Sequence, residues 1–132
     1  NMTRFNIFMN NAIDTVEWSL LNMKGSEIIV PKLKSFRIID LIRAINNKPK
    51  VKLIGIRAGE KIHEEMITES DSYNTYEFKK YYVILSTDEE ITKKYKKIKG
   101  IKKYPLGKSY NSNKNKKLIL KDLKKLVKDF NA

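Results

Sequence analysis

Val51-Lys52-Leu53-Ile54-Gly55-Ile56-Arg57-Ala58-Gly59-Glu60-Lys61-Ile62-His63-Glu64-Glu65-Met66-Ile67 passes from an apolar run through a small turn into an acidic segment. The pattern predicts a strand over residues 51–56, a turn at 57–59 and a short helix over 60–67, whose early carboxylates suit the positive end of the helix dipole. Upstream, residues 3–8 read as a short extended entry. Asn10 or Asn11 is placed to cap a helix carrying Ala12, Ile13, Val16, Leu20 and Met23 at helical spacing, and Gly25 ends it. Residues 27–30 form a β-branched run closed by Pro31, and Ser35 is placed to cap a second helix through Ile38, Leu41, Ile42 and Ile45. Downstream, residues 78–85 are a strand candidate and 89–97 a short helix. Residues 118–130 close as an amphipathic helix, with Leu120, Leu123, Leu126, Val127 and Phe130 on one face. Alternating strands and helices without an internal repeat predict an α/β (α+β) fold class.

The 132 residues supply one domain's worth of chain, so residues 1–132 are expected to form a single domain. No uncharged apolar run approaches the roughly 20 residues of a membrane-spanning helix, and the first ten residues lack a signal-peptide pattern. No membrane partner is therefore expected, and a cytoplasmic location is the default. With no cysteine, a disulfide framework, a thiolate metal site and a cysteine nucleophile are excluded, and the single histidine, His63, makes a histidine-rich metal centre implausible.

The net charge of +13 divides unevenly along the chain. Residues 1–90 carry 13 basic and 13 acidic side chains, whereas residues 91–132 carry 15 lysines and two aspartates. The C-terminal third is thus a lysine-rich segment, and tyrosines at 95, 104 and 110 lie within it, as bases stacked on a basic surface would require. Against nucleic acid stands the absence of any arginine there. Lys, Asn and Ile together make 53 of the 132 residues, and A/T-rich codons for all three supply a compositional origin for the charge.

Most catalytic patterns are missing. The five glycines stand at 25, 55, 59, 100 and 107, so there is neither GxGxxG nor a P-loop, and His63 has no second histidine for a zinc helix. Tyr followed by Lys four positions later occurs at Tyr76/Lys80, Tyr95/Lys99, Tyr104/Lys108 and Tyr110/Lys114. A chain with 24 lysines and seven tyrosines produces such pairs by chance, none follows a nucleotide-binding βαβ unit, and no catalytic residue is assigned. Arginine is scarce, and two of the four, Arg4 and Arg57, fall at the mouths of expected strands, where a planar bidentate donor suits phosphate. In Arg57-Ala58-Gly59-Glu60 the small turn permits close backbone approach, Arg57 offers a fork to a diphosphate, and Glu60 offers an acceptor to a ribose diol. Spacing alone equally describes a plain strand-turn-helix joint, and favours it.

Met2-Thr3-Arg4-Phe5, Glu27-Ile28-Ile29-Val30-Pro31-Lys32, Ile39-Asp40-Leu41, the string from Gly55 to Ile67 and Tyr110-Asn111-Ser112 follow one another in an order that resembles the UDP-N-acetylglucosamine 4,6-dehydratases. These are extended short-chain dehydrogenase/reductases of polysaccharide and flagellin-glycan biosynthesis, and nearly the whole chain resembles their C-terminal, substrate-binding part. The resemblance implies an NADP-dependent lyase: the sugar C4 hydroxyl is oxidised, water is eliminated across C5 and C6, and hydride returns to C6, with inversion at C5 in one branch. It also implies that the cofactor-binding and catalytic Rossmann half lies outside these residues, so that this chain alone binds no NADP and is not catalytically complete.

What the resemblance assigns here is nucleotide-sugar binding. Arg4 and Arg57 correspond to diphosphate-binding arginines, Glu60 to the ribose-binding carboxylate, and Thr3, beside Arg4, joins them as a substrate-binding candidate. Asn1 stands where the family carries Arg, Ala58 where it carries Pro, and residues 89–108 are more basic than the family pattern. The implied partners are a UDP-sugar and either the missing Rossmann half or a second copy of this chain. The competing expectation is a basic module binding nucleic acid or an anionic surface through residues 91–132.

Overall fold

The computed structural model describes residues 1–130. In chain order the elements are β1 (Thr3–Asn6), α1 (Met9–Asn22), β2 (Ile28–Pro31), β3 (Lys34–Arg37), α2 (Ile38–Ile45), β4 (Glu65–Ile67), a 3-10 turn at Asp71–Asn74, β5 (Thr75–Glu77), β6 (Tyr81–Ile84), α3 (Glu89–Lys96), β7 (Lys102–Lys103), β8 (Tyr110–Asn111) and α4 (Leu120–Phe130). The mixed α/β class expected from the alternating pattern is what the chain adopts. Its residues gather into two compact units, one built from Asn1–Asn6, Lys34–Glu64 and the chain from Asn111, the other from Ile7–Leu33 and Glu65–Tyr110.

In the first unit β1 pairs antiparallel with β3, Thr3 opposite Arg37 and Asn6 opposite Lys34. Ser35 belongs to that ribbon and is fully buried; it does not cap a helix. Its N–H donates to the Lys116 carbonyl at 3.1 Å and its carbonyl accepts from the Leu118 N–H at 2.7 Å, so ladder bonds claim the backbone. Helix α2 begins two residues later than that cap implied, and its first N–H, on Ile38, donates to the Met2 carbonyl. Asp40 sits in its first turn, where the dipole favours a carboxylate, and accepts from Arg37 at 2.6 and 3.0 Å. α2 packs against α4, which buries Leu123 almost completely.

Two expectations in this unit are corrected. Residues 51–56 form no strand; Leu53 is 93% exposed, because a strand needs a neighbour to take its backbone bonds and none of the described residues pairs with this run. Residues 60–67 form no helix. The Ile62 carbonyl accepts from the Thr3 N–H, and Glu64 exchanges bonds with Ser112 through both its N–H and its carbonyl. Those groups would have to bond four residues away in a helix, and distant partners take them first. The end of the run becomes β4 instead.

The second unit is organised by a four-stranded antiparallel sheet in the order β2-β6-β5-β7, with Val83 opposite both Ile29 and Tyr76. The strand expected over 78–85 starts only at Tyr81, because the Phe78 N–H donates to the Tyr81 carbonyl at 2.8 Å and closes the β5–β6 hairpin. Tyr76, Val83, Leu85, Ile91 and Tyr95 form the core, with Trp18, Phe78 and Ile98 against it. β4 pairs with β8, whose Tyr110 is the last residue of this unit. Helix α3 starts as its sequence dictates, Asp88 accepting from the N–H groups of Glu90 and Ile91. Helix α1 differs: Phe8 precedes it without a side-chain cap, Asn10 and Asn11 lie inside it, and Ile13, Val16 and Leu20, which recur at helical spacing, are exposed.

Candidate functional site

Both groups of site candidates lie in the first unit. Around residue 57 the Glu60 N–H donates to the Arg57 carbonyl at 3.0 Å, and Gly59 has φ of +79°. An i to i+3 bond with glycine alone in the left-handed region at the third position is a type II turn, which explains why glycine stands there. A side chain carbon at Gly59 would meet nothing within 4 Å, so the turn is open on its outer side. The Glu60 carboxylate folds back to accept from the Arg57 N–H at 3.2 Å. The Arg57 side chain is exposed and makes no hydrogen bond or ion pair among the described residues. A free guanidinium and a carboxylate on an open turn are a competent pair for an anion carrying adjacent hydroxyls.

Arg4, on β1, is differently placed. Its Nη1 donates to the Thr3 carbonyl at 2.8 Å and to the Ile62 carbonyl at 3.3 Å, and its Nε stands 3.6 Å from Glu64 Oε1. The guanidinium is thereby fixed in orientation, with the Nη2 edge unclaimed. Thr3 is buried, and its hydroxyl lies 2.8 Å from His63 Nδ1 and 2.6 Å from Ser112 Oγ. Structure thus joins Thr3, Arg4, His63, Glu64 and Ser112 in one bonded cluster and Arg57 with Glu60 in a second; among the described residues no hydrogen bond links the two. His63, Glu64 and Ser112 stood in the motifs of the resemblance, but none was assigned to the site. Nothing in local spacing reveals them, since Ser112 lies 109 residues from Thr3.

No set of three or more metal-ligating side chains occurs among the described residues. A dinucleotide fits poorly as well. Gly55 and Gly59 have positive φ, but neither opens a helix that follows a strand, so no cradle for a pyrophosphate forms from glycine backbone here. The described helices include none long and apolar enough to cross a membrane.

Residues 1–86 match the family described as polysaccharide biosynthesis protein. The chain is 47% identical over 83 residues to a UDP-N-acetylglucosamine 4,6-dehydratase (inverting) of Campylobacter jejuni, covering 63% of this chain and 25% of that protein. It is 28% identical to a UDP-glucose 4-epimerase of Rickettsia akari over 96% of this chain and 38% of that one. The X-ray structure of Pen from Bacillus thuringiensis superposes with a TM-score of 0.78 at 22% identity, covering 98% of this chain and 39% of Pen, which establishes a shared fold. The chain therefore spans between a quarter and two fifths of the length of these relatives. On the family match over residues 1–86, the chain belongs to the polysaccharide biosynthesis protein family.

Proposed function

We propose that this chain is the nucleotide-sugar-binding portion of a UDP-N-acetylglucosamine-type 4,6-dehydratase, with the diphosphate held by Arg57 and Arg4 and the ribose by Glu60. The single observation that carries this reading is the open Arg57–Glu60 turn, whose guanidinium is exposed and uncommitted while its carboxylate sits one turn away. Similarity to a UDP-sugar dehydratase and a UDP-sugar epimerase supports the ligand class. Arg4 contributes its free Nη2 edge. Thr3 serves the site from within, holding β1 to His63 and Ser112, rather than by touching ligand.

NADP would supply hydride acceptance and return in the complete enzyme. The residues described here do not fit it, so binding and orientation of the nucleotide are the whole of this chain's share. A cytoplasmic location goes with a nucleotide-sugar substrate. The reading is tested by titrating the chain with UDP: wild type binds and Arg57→Ala loses binding while its unfolding transition is unchanged. Equal loss of folding would make Arg57 structural.

A further inference from the structure

We propose that Ser112 is a positioning residue that aims the Arg4 guanidinium at the diphosphate, an inference that rests on the reading of Arg4 given above. Ser112 is fully buried and cannot touch a ligand. Two of the three residues that orient Arg4, Thr3 and Glu64, are nevertheless bonded to it; the third contact, the Ile62 carbonyl, is not. The Ser112 Oγ donates to the Thr3 carbonyl at 3.2 Å, the same oxygen that accepts from Arg4 Nη1. Its Oγ also accepts from the Glu64 N–H at 2.9 Å, while its own N–H donates to the Glu64 carbonyl at 2.8 Å. Glu64, held at both ends of its backbone, then directs its carboxylate between the Phe5 N–H, at 2.8 Å, and Arg4 Nε, at 3.6 Å.

The consequence is a chain of constraint from a buried hydroxyl to a ligand-facing cation. Arg4 alone has a long flexible stem and would lose rotamer entropy on clamping a diphosphate. With Nη1 bonded to two carbonyls and Nε drawn toward the Glu64 carboxylate as an ion pair at 3.6 Å, much of that cost is met on folding. Removing Oγ leaves the part-buried Glu64 N–H without its partner and loosens the carboxylate that stands beside Nε. Serine fits for a further reason: one hydroxyl accepts from an N–H and donates to a carbonyl at once, which alanine and valine cannot do.

The test uses the whole chain and the arginine Nε–H signals in a 1H–15N spectrum, which four arginines keep resolvable. In wild type the Arg4 Nε–H is expected to be displaced from the positions of exposed arginines by the nearby Glu64 carboxylate. Ser112→Ala should move it to the exposed position with the remaining backbone signals retained, weaken UDP by about tenfold and leave uridine, which lacks phosphate, unchanged. An Arg4 signal identical in wild type and Ser112→Ala overturns the positioning role, whatever UDP does. Failure of wild type to bind UDP would instead sink the nucleotide reading, and the arginine signal still decides the role of Ser112. Should Ser112→Ala not fold, Ser112→Cys keeps the volume, weakens the same bonds and is read the same way.

Discussion

Tyr95 donates its hydroxyl to the buried carboxylate of Glu27, 68 residues earlier in the chain. The bond ties α3 to the loop after α1, where Glu27 also accepts from the Lys24 N–H. Burial pushes the Glu27 carboxyl up, but the Tyr95 hydroxyl and the loop N–H groups outweigh it and hold the group below its ordinary value of 4.5. Burial and the nearby carboxylate push the Tyr95 phenol up, so it stays a donor.

A carboxylate depressed on folding stabilises the fold above its unfolded pKa, and the contribution disappears as pH falls through the folded value. Urea unfolding should therefore show stability constant near neutrality and declining below about pH 4.5. Tyr95→Phe should cost about 1–3 kcal/mol at pH 7. Glu27→Gln should flatten the acid slope; an unchanged slope would assign it to other carboxylates.

Gly25 stands close behind this bond. A side chain carbon there would lie 2.2 Å from Ile91 Cδ1, and Ile91 is part of the packed core. Gly25→Ala should destabilise by about 1–3 kcal/mol through overpacking, measured by thermal unfolding. Ile91→Val in the same chain should recover part of the loss, since it removes the atom that clashes.

The turn at residue 57 gives an opposite case. Ala58 occupies the second position of a type II turn, where proline is favoured. Ala58→Pro should raise stability by about 0.4–1 kcal/mol and tighten UDP by restricting the arms of Arg57 before binding. Gly59→Ala should do the reverse, because φ of +79° strains any side chain there although space is open. A weaker UDP affinity in Ala58→Pro would show that the turn must move to bind.

What the sequence made legible was the local part of this fold. Helices α3 and α4 were readable as short local stretches, the leucines of α4 recurring at helical spacing, and the structure adds the Asp88 cap of α3. Ser35 and residues 60–67 were misread because their backbone groups bond to residues 3, 112, 116 and 118, and no local pattern competes with such partners. The apolar run at 51–56 looked like a strand because composition reports what a segment would pair with, not whether a neighbour is present. At the candidate site, the four-residue span of the turn put Arg57 beside Glu60 in the sequence, while spacing favoured a plain joint and their binding roles came only from the resemblance. Thr3 was singled out beside Arg4, and its hydroxyl bonds His63 and Ser112; Ser112 stood in a quoted motif, but its bonds to residues 3 and 64 leave no local signal.

Exposed apolar side chains on α1 make a further consequence measurable. Leu20 is 80% and Leu21 82% exposed, with Ile13 and Val16 open alongside. Such a face favours association with a second copy. Sedimentation velocity should show mass rising with concentration, and the pair Val16→Lys and Leu20→Lys should return a monomer. A clean wild-type monomer at high concentration would count against it.

The central claim is that the turn at Arg57 and the cluster around Arg4 hold a nucleoside diphosphate, and its most direct test is a two-dimensional NMR titration with UDP at physiological salt. Shifts confined to the neighbourhoods of Arg4, Arg57 and Glu60 are expected, absent in Arg57→Ala, and weaker for UDP but not for a ribose-free diphosphate in Glu60→Gln. Silence toward UDP, alongside salt-sensitive shifts across residues 91–132 with a DNA duplex, would contradict it and favour the basic surface.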